Sequence, residues 1–272
     1  MTVDAIEPDR FDIARVIQQT FGVLGRNIVT FSILGLLLSG LPSAIVAFLQ
    51  WGMMKGQLHN IQNGGFNLSA GPIAAGSLGG LAALIGTAIL QGALIHATVQ
   101  DLNNQPPSLS ASLATGLRNF LPLLGVTILF VLACAVGMIL LVVPGVMLAC
   151  AWCVAAPSLI ADRTGVFGAF SRSAELTRGN RWQIFGLLVI VVVLEWVLTM
   201  IFNAVSGVGM IGMSGDPMAA VERMISPLFL ILSVVRQTIG AVIGATATAV
   251  IYVELRRAHE GEPTGWLAEV FR

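Results

Sequence analysis

The sequence predicts an all-α fold: a polytopic membrane helical bundle of about six transmembrane helices plus three cytoplasmic interfacial amphipathic helices. Three observations carry this reading. Hydrophobic residues make up 56% of the chain and charged residues only 10%, where an average soluble domain is about 25% charged. Six stretches stay apolar long enough to cross a hydrocarbon core of about 30 Å, which takes roughly 20 helical residues. The basic residues then fall almost wholly on one side of those crossings.

The spans lie near 28–52, 72–99, 120–143, 145–161, 183–204 and 227–254. Lipid offers the backbone no hydrogen-bond partner, so each span is a helix or part of a closed barrel, and an unbroken run such as Leu187 to Leu194 lacks the alternation of a barrel strand. The fourth span is short and holds Pro157. Only Val143-Pro144-Gly145 separates it from the third, so the two read as a tight helical hairpin or a re-entrant pair.

Orientation follows from arginine and lysine. With the N-terminus inside, the inner segments hold eleven of the 14 basic residues, the outer loops hold only Lys55 and Arg223, and Arg236 lies within a span. That asymmetry predicts both termini on the cytoplasmic side. The expected organisation is a cytoplasmic N-terminal segment with an interfacial helix (1–27), a transmembrane helical domain (28–257) and a cytoplasmic tail (258–272). Asp4, Glu7 and Asp9 occupy a start that lacks the basic and apolar regions of a cleavable signal.

Three amphipathic stretches precede the odd-numbered spans: FDIARVIQQTFGVLGRN (11–27), SLSASLATGLRNF (108–120) and VFGAFSRSAELTRGNRW (166–182). Each spaces its apolar residues as a helix does, for example Phe11, Ala14, Ile17, Phe21 and Leu24, and each ends in a glycine with an arginine close behind. They read as a threefold repeat of an interfacial helix leading into a spanning one. Arg26, Arg118, Arg178 and Arg181 are then the expected contacts to lipid phosphate, with membrane lipids the expected partners.

The spans also hold polar groups. Glu195 is about 12 residues, roughly 18 Å, from the inner start of its helix, and Arg236 is about nine residues, roughly 13 Å, from the outer start of an antiparallel one. The two depths coincide. A lone charge at mid-bilayer costs at least about 2.5–3.5 kcal/mol, so an inward-facing Glu195/Arg236 pair is expected. Thr199 and Asn203 continue the Glu195 face, Gln237 adjoins Arg236, and Gln91 gives the second span a polar side. This cluster either lines a path for an ion or a polar headgroup or fixes helix register as a buried pair.

Several motifs carry weaker signals. Gly240 to Gly244 and Gly76 to Gly80 are small-xxx-small patterns suited to close helix packing. Gly207-Val-Gly209-Met-Ile-Gly212 imitates a dinucleotide string without the strand before it that such a site needs. Cys150-Ala-Trp-Cys153 lies in an apolar span, where a thiolate is suppressed, and zinc would need two further ligands. His96, beside Gln100 and Asp101, reads as an interfacial polar residue or a proton relay. The sequence thus gives no metal site and no cofactor, and zero net charge leaves no footprint for nucleic acid.

Pro144-Gly145, Pro157 and then FGAFSRSAELTRGNRWQIFGLLVI (167–190), with Ala169, Ser173, Leu176, Gly179, Trp182 and Phe185 at their spacing, resemble the glycerophosphoryl diester phosphodiesterase membrane domain, an uncharacterised family of bacterial integral membrane proteins. The likeness is clearest over residues 107–190. It implies a six-helix unit in the bacterial inner (plasma) membrane, in some members attached to a soluble phosphodiesterase barrel. Only 15 residues follow Arg257, and His59, His96 and His259 lack the carboxylate setting of that hydrolase, so the resemblance does not carry the activity across. The expected function is non-catalytic, membrane-organising or partner-binding, with a protein partner or a homo-oligomer left open. The alternative is a transporter or lipid-handling protein using Glu195 and Arg236, and a weaker one is a membrane enzyme using His96 or a carboxylate.

Overall fold

The computed structural model describes residues 11–62, 70–206 and 226–260. Among them the chain forms α1 (Ile13–Arg26), α2 (Ile28–Gly35), a π turn (Leu36–Gly40), α3 (Leu41–Gln62), α4 (Ala70–Leu102), α5 (Leu109–Leu140), α6 (Val142–Trp152), α7 (Ala155–Asp162), α8 (Gly165–Leu176), α9 (Arg181–Val205) and α10 (Pro227–Glu260). The fold is an all-α bundle, and six helical stretches are long and apolar enough to cross a membrane: Ile28–Met53, Gly79–Leu102, Leu109–Leu140, Val142–Asp162, Arg181–Val205 and Pro227–His259. The Gly207–Gly212 string lies outside the described residues.

The second and fourth spans are 61% and 56% buried and form the centre, while the fifth, at 11%, presents most of its surface outward. That outward surface is aliphatic, with Val192, Val193 and Ile201 exposed. This is the inverse of a soluble protein and suits a chain whose solvent is lipid. The densest packing gathers toward one end, where α1, α8 and the second half of α10 meet, and Val250, Ile251, Tyr252 and Leu255 are almost fully buried there. We call it the arginine-rich end.

Local chemistry explains the irregular points. Pro42 has no N–H for the Leu38 carbonyl one turn back, and the helix widens there into the π turn. Gly86 of α4 leaves room for that carbonyl, which a Cβ would strike. Between α5 and α6 the turn is one extended residue, Leu141, among the exposed residues Leu140, Val142 and Val143. Its N–H donates to the Gly137 carbonyl and its own carbonyl accepts from the Gly145 N–H, so an apolar apex leaves neither group unpaired. The two helices approach so closely here that a Cβ on Gly137 would lie 2.9 Å from Gly145 Cα and one on Gly145 2.8 Å from the Met138 backbone nitrogen. The turn is thus as short as Val143-Pro144-Gly145 predicts, and Pro144 sits in the first turn of α6, where its missing N–H costs nothing.

Two expectations change. The fourth span is not one helix but two, α6 and α7, broken at Cys153-Val154. Of the three amphipathic stretches, 11–27 and 166–182 form the separate helices α1 and α8, but 108–120 is the opening of α5. Ser108 caps that helix through its side chain, and nothing after Gly116 stops it: Pro122 is carried inside.

Candidate functional site

The chain concentrates its paired charge at the arginine-rich end. Asp101 and Asp162 lie at the C-termini of α4 and α7, where the helix dipole disfavours a carboxylate, and each is offset by arginine from a distant element. Arg26 Nη2 donates to Asp101 Oδ2 at 2.6 Å, and Asn27 Nδ2 to its Oδ1 at 2.6 Å. The carboxylate holds the Arg26 guanidinium above its ordinary range, chiefly through that hydrogen bond. Asp162 accepts from Arg256 Nη1 at 2.9 Å and from the Tyr252 hydroxyl at 3.2 Å, and pairs with Arg172 Nε at 3.4 Å. Glu254, 3% exposed, accepts from Arg15 Nη1 of α1 at 2.9 Å. These contacts fasten α1 and α8 to the spans. Ser173 and Thr177 add a second fastening of α8, both donating to the Ala151 carbonyl at 2.9 and 3.2 Å.

His96 is buried here, its Nδ1 3.2 Å from Ser112 Oγ of α5. It belongs to the α4–α5 contact rather than to an open interface. Beside it Gly92 and Gly116 let the two helices meet, and a Cβ on Gly116 would strike the Ile89 carbonyl. Arg118 lines a cavity of about 440 Å³ with Thr115 and Asn119 of α5 and with Arg163, which follows α7. Arg178 is exposed, and Arg181 is half-buried with its Nε out of reach of an acceptor among the described residues. The four arginines expected to meet lipid phosphate thus share one end of the molecule but not one role.

Near the middle of α9, Glu195 lies against α10. A Cβ on Gly240 would fall 2.5 Å from Glu195 Oε1, so at this helix contact the glycine makes room for a carboxylate of α9. Arg236 is one turn, about 6 Å, along α10 from that glycine. The expected Glu195/Arg236 ion pair is not among those the described residues form: the carboxylate meets α10 at Gly240 instead. Thr199 donates back to the Glu195 carbonyl at 2.8 Å, and Asn203 is half-buried farther along α9. Gln237 lines a different cavity, about 460 Å³, with Ser43 and Gln50 of α3 and Ser233. Gln91 is half-buried on α4 between Ala88 and Ile95. The expected cluster is therefore dispersed. Cys134, Cys150 and Cys153 are free thiols.

Sequence reasoning missed the Asp162–Tyr252–Arg256–Arg172 group, the Glu254–Arg15 pair and Arg163. One signal was present: Asp101, Asp162 and Glu254 each stand near the C-terminal end of an even-numbered span.

Residues 130–255, a little under half of the chain, match a protein family described as a domain of unknown function (DUF7847). No match names the glycerophosphoryl diester phosphodiesterase membrane family. The comparisons with curated proteins and with solved structures returned no match.

Proposed function

We propose that this chain is a non-catalytic integral protein of a bacterial inner membrane, with both termini cytoplasmic, that organises the membrane or a partner at its inner face. The observation that carries this is the set of ion pairs at the arginine-rich end. Arg15, Arg26, Arg172 and Arg256 are each held by a carboxylate from another element, so two amphipathic helices and the span ends form one fixed plate. The interior, by contrast, offers one acidic side chain seated on a glycine. The resemblance of 107–190 to the phosphodiesterase family's membrane domain supports the membrane address and brings no hydrolase with it.

A second reading, handling of a polar cargo, is favoured by the cavity that Ser43, Gln50, Ser233 and Gln237 line within the spans. Reconstitution separates the two. Vesicles holding the full chain should show solute leak and fluorescent-phospholipid flip rates equal to those of empty vesicles, and Glu195→Gln and Arg236→Gln should leave both unchanged. The stability cycle of the two substitutions should give a coupling below about 0.5 kcal/mol, as for groups that share no direct contact. A flux above background that either substitution abolishes, in a protein that still unfolds at the same temperature, would establish the cargo reading instead.

A further inference from the structure

Two guanidinium groups from different elements, Arg118 of α5 and Arg163 between α7 and α8, line one cavity of about 440 Å³. Among the described residues its other walls are Thr115 and Asn119 on the polar side and Pro122, Leu159 and Ile160 on the apolar side, with Ala114 and Gly165.

The position of the cavity follows from helix length. Counted inward from the Leu141 turn, a hydrocarbon core of about 30 Å ends near Leu121. Arg118 then stands about 5 Å beyond it, at headgroup depth. From the other side, the fourth span ends at Asp162, so Arg163 comes level with Arg118.

We propose that this cavity binds a phosphate group, with the acyl or glycerol part of a phospholipid against Pro122 and Leu159. Arginine suits the task because its planar fork gives two parallel donors to phosphate oxygens and its charge persists at any physiological pH. Thr115 donates to the Ala111 carbonyl at 2.9 Å and Asn119 to the Thr115 carbonyl at 2.9 Å. Those bonds fix both side chains on the cavity wall and leave Asn119 a second N–H. Arg163 is held at φ 50°, in the left-handed region, a conformation that helix ends usually give to glycine or asparagine. A binding side chain at that corner is a reason for an arginine to occupy it.

Site and scaffold are separable, because the cavity requires only the six-span placement. The test is a titration of the purified full chain in detergent, read by native mass spectrometry, with phosphatidylglycerol, diacylglycerol and inorganic phosphate as separate arms. Phosphatidylglycerol should bind, and Arg118→Gln and Arg163→Gln should each weaken it about tenfold or more, the scale of a lost charged hydrogen bond. Arg178→Gln, an exposed arginine at the same end removed from the cavity lining, should change it less than about twofold. Diacylglycerol, which lacks only the phosphate and its headgroup, should bind far more weakly. Displacement of the lipid by inorganic phosphate in the native chain, lost in the two variants, would identify a soluble phosphate as the source. Should either arginine variant fail to fold by thermal unfolding, Asn119→Asp puts a negative charge on the wall and must weaken binding in its place. Equal binding by the cavity variants and the native chain, or an equal loss in Arg178→Gln, or equal binding of diacylglycerol, overturns the proposal.

Discussion

At the scale of single residues, three glycines with the same formal vacancy have different consequences when filled. A Cβ at Gly86 meets the Leu38 carbonyl and one at Gly116 meets the Ile89 carbonyl, both backbone atoms of packed helices. A Cβ at Gly240 meets the end of the Glu195 side chain, which can turn away by rotating its own torsions. Gly86→Ala and Gly116→Ala should therefore each cost about 1–3 kcal/mol, the range for overpacking a rigid contact, and Gly240→Ala less than about 1 kcal/mol. Thermal unfolding in detergent ranks the three. A loss at Gly240 as large as at Gly116 would mean that the carboxylate is clamped and not merely seated. The sequence marked Gly240 as a helix-packing glycine because small-xxx-small spacing cannot say which atom arrives at the open position. Glu195 itself was legible as an inward-facing polar group, since a charge among aliphatics has few places to go. The expected ion pair with Arg236 does not form among the described residues, because coincident depth on two helices fixes height and leaves rotation about each axis undetermined.

At the scale of elements, α1 shows how an amphipathic helix becomes part of a membrane bundle. Phe11, Val16 and Val23 are buried, and Arg15 reaches Glu254 of α10. Periodicity predicted the helix but not its buried face: of Phe11, Ala14, Ile17, Phe21 and Leu24 only Phe11 is buried, while Ala14 and Phe21 are exposed. Apolar spacing cannot distinguish a bed of lipid from a bed of protein when both accept the same side chains. The same ambiguity hid the joining of 108–120 to α5: an amphipathic stretch followed by an apolar one has no stop signal between them if the glycine at the boundary, Gly116, is used for packing instead of capping. If the Arg15–Glu254 contact anchors α1, Glu254→Gln should loosen that helix selectively. Breaking one side of a buried pair costs up to about 3–5 kcal/mol, and the part-exposed Arg15, at 33%, lowers the expected loss to about 1–2 kcal/mol. Hydrogen exchange should show α1 amides faster by roughly five- to thirtyfold, with those of α4 and α5 unchanged. Uniform acceleration through the whole bundle would make Glu254 a determinant of global stability and deny α1 its separate anchor.

At the scale of the whole molecule, the distribution of charge predicts how the chain sits in its membrane. Four arginines at the arginine-rich end are held by carboxylates, which lowers the net charge of that end. Orientation responds to arginine and lysine near the span ends, however, and hardly to aspartate and glutamate, so the paired arginines still count in full. Positions 65 and 216 lie outside the described residues; if all six spans cross, they are expected on the face opposite to Asn104, α8 and the end of α10. Fusions of a periplasm-active phosphatase after Gly65 and after Asp216 should be active, and a fluorescent protein there should be dark. After Asn104 and after Arg257 the two reporters should exchange behaviour. The apolar Leu141 turn gives the decisive internal check, because a chain whose α5–α6 hairpin fails to cross still returns Asp162 to the plate. A phosphatase after Val143 that is inactive, with active fusions after Gly65 and Asp216, would therefore leave four crossings and a re-entrant hairpin, whereas cytoplasmic signals after either Gly65 or Asp216 would remove the common face on which the whole plate is built.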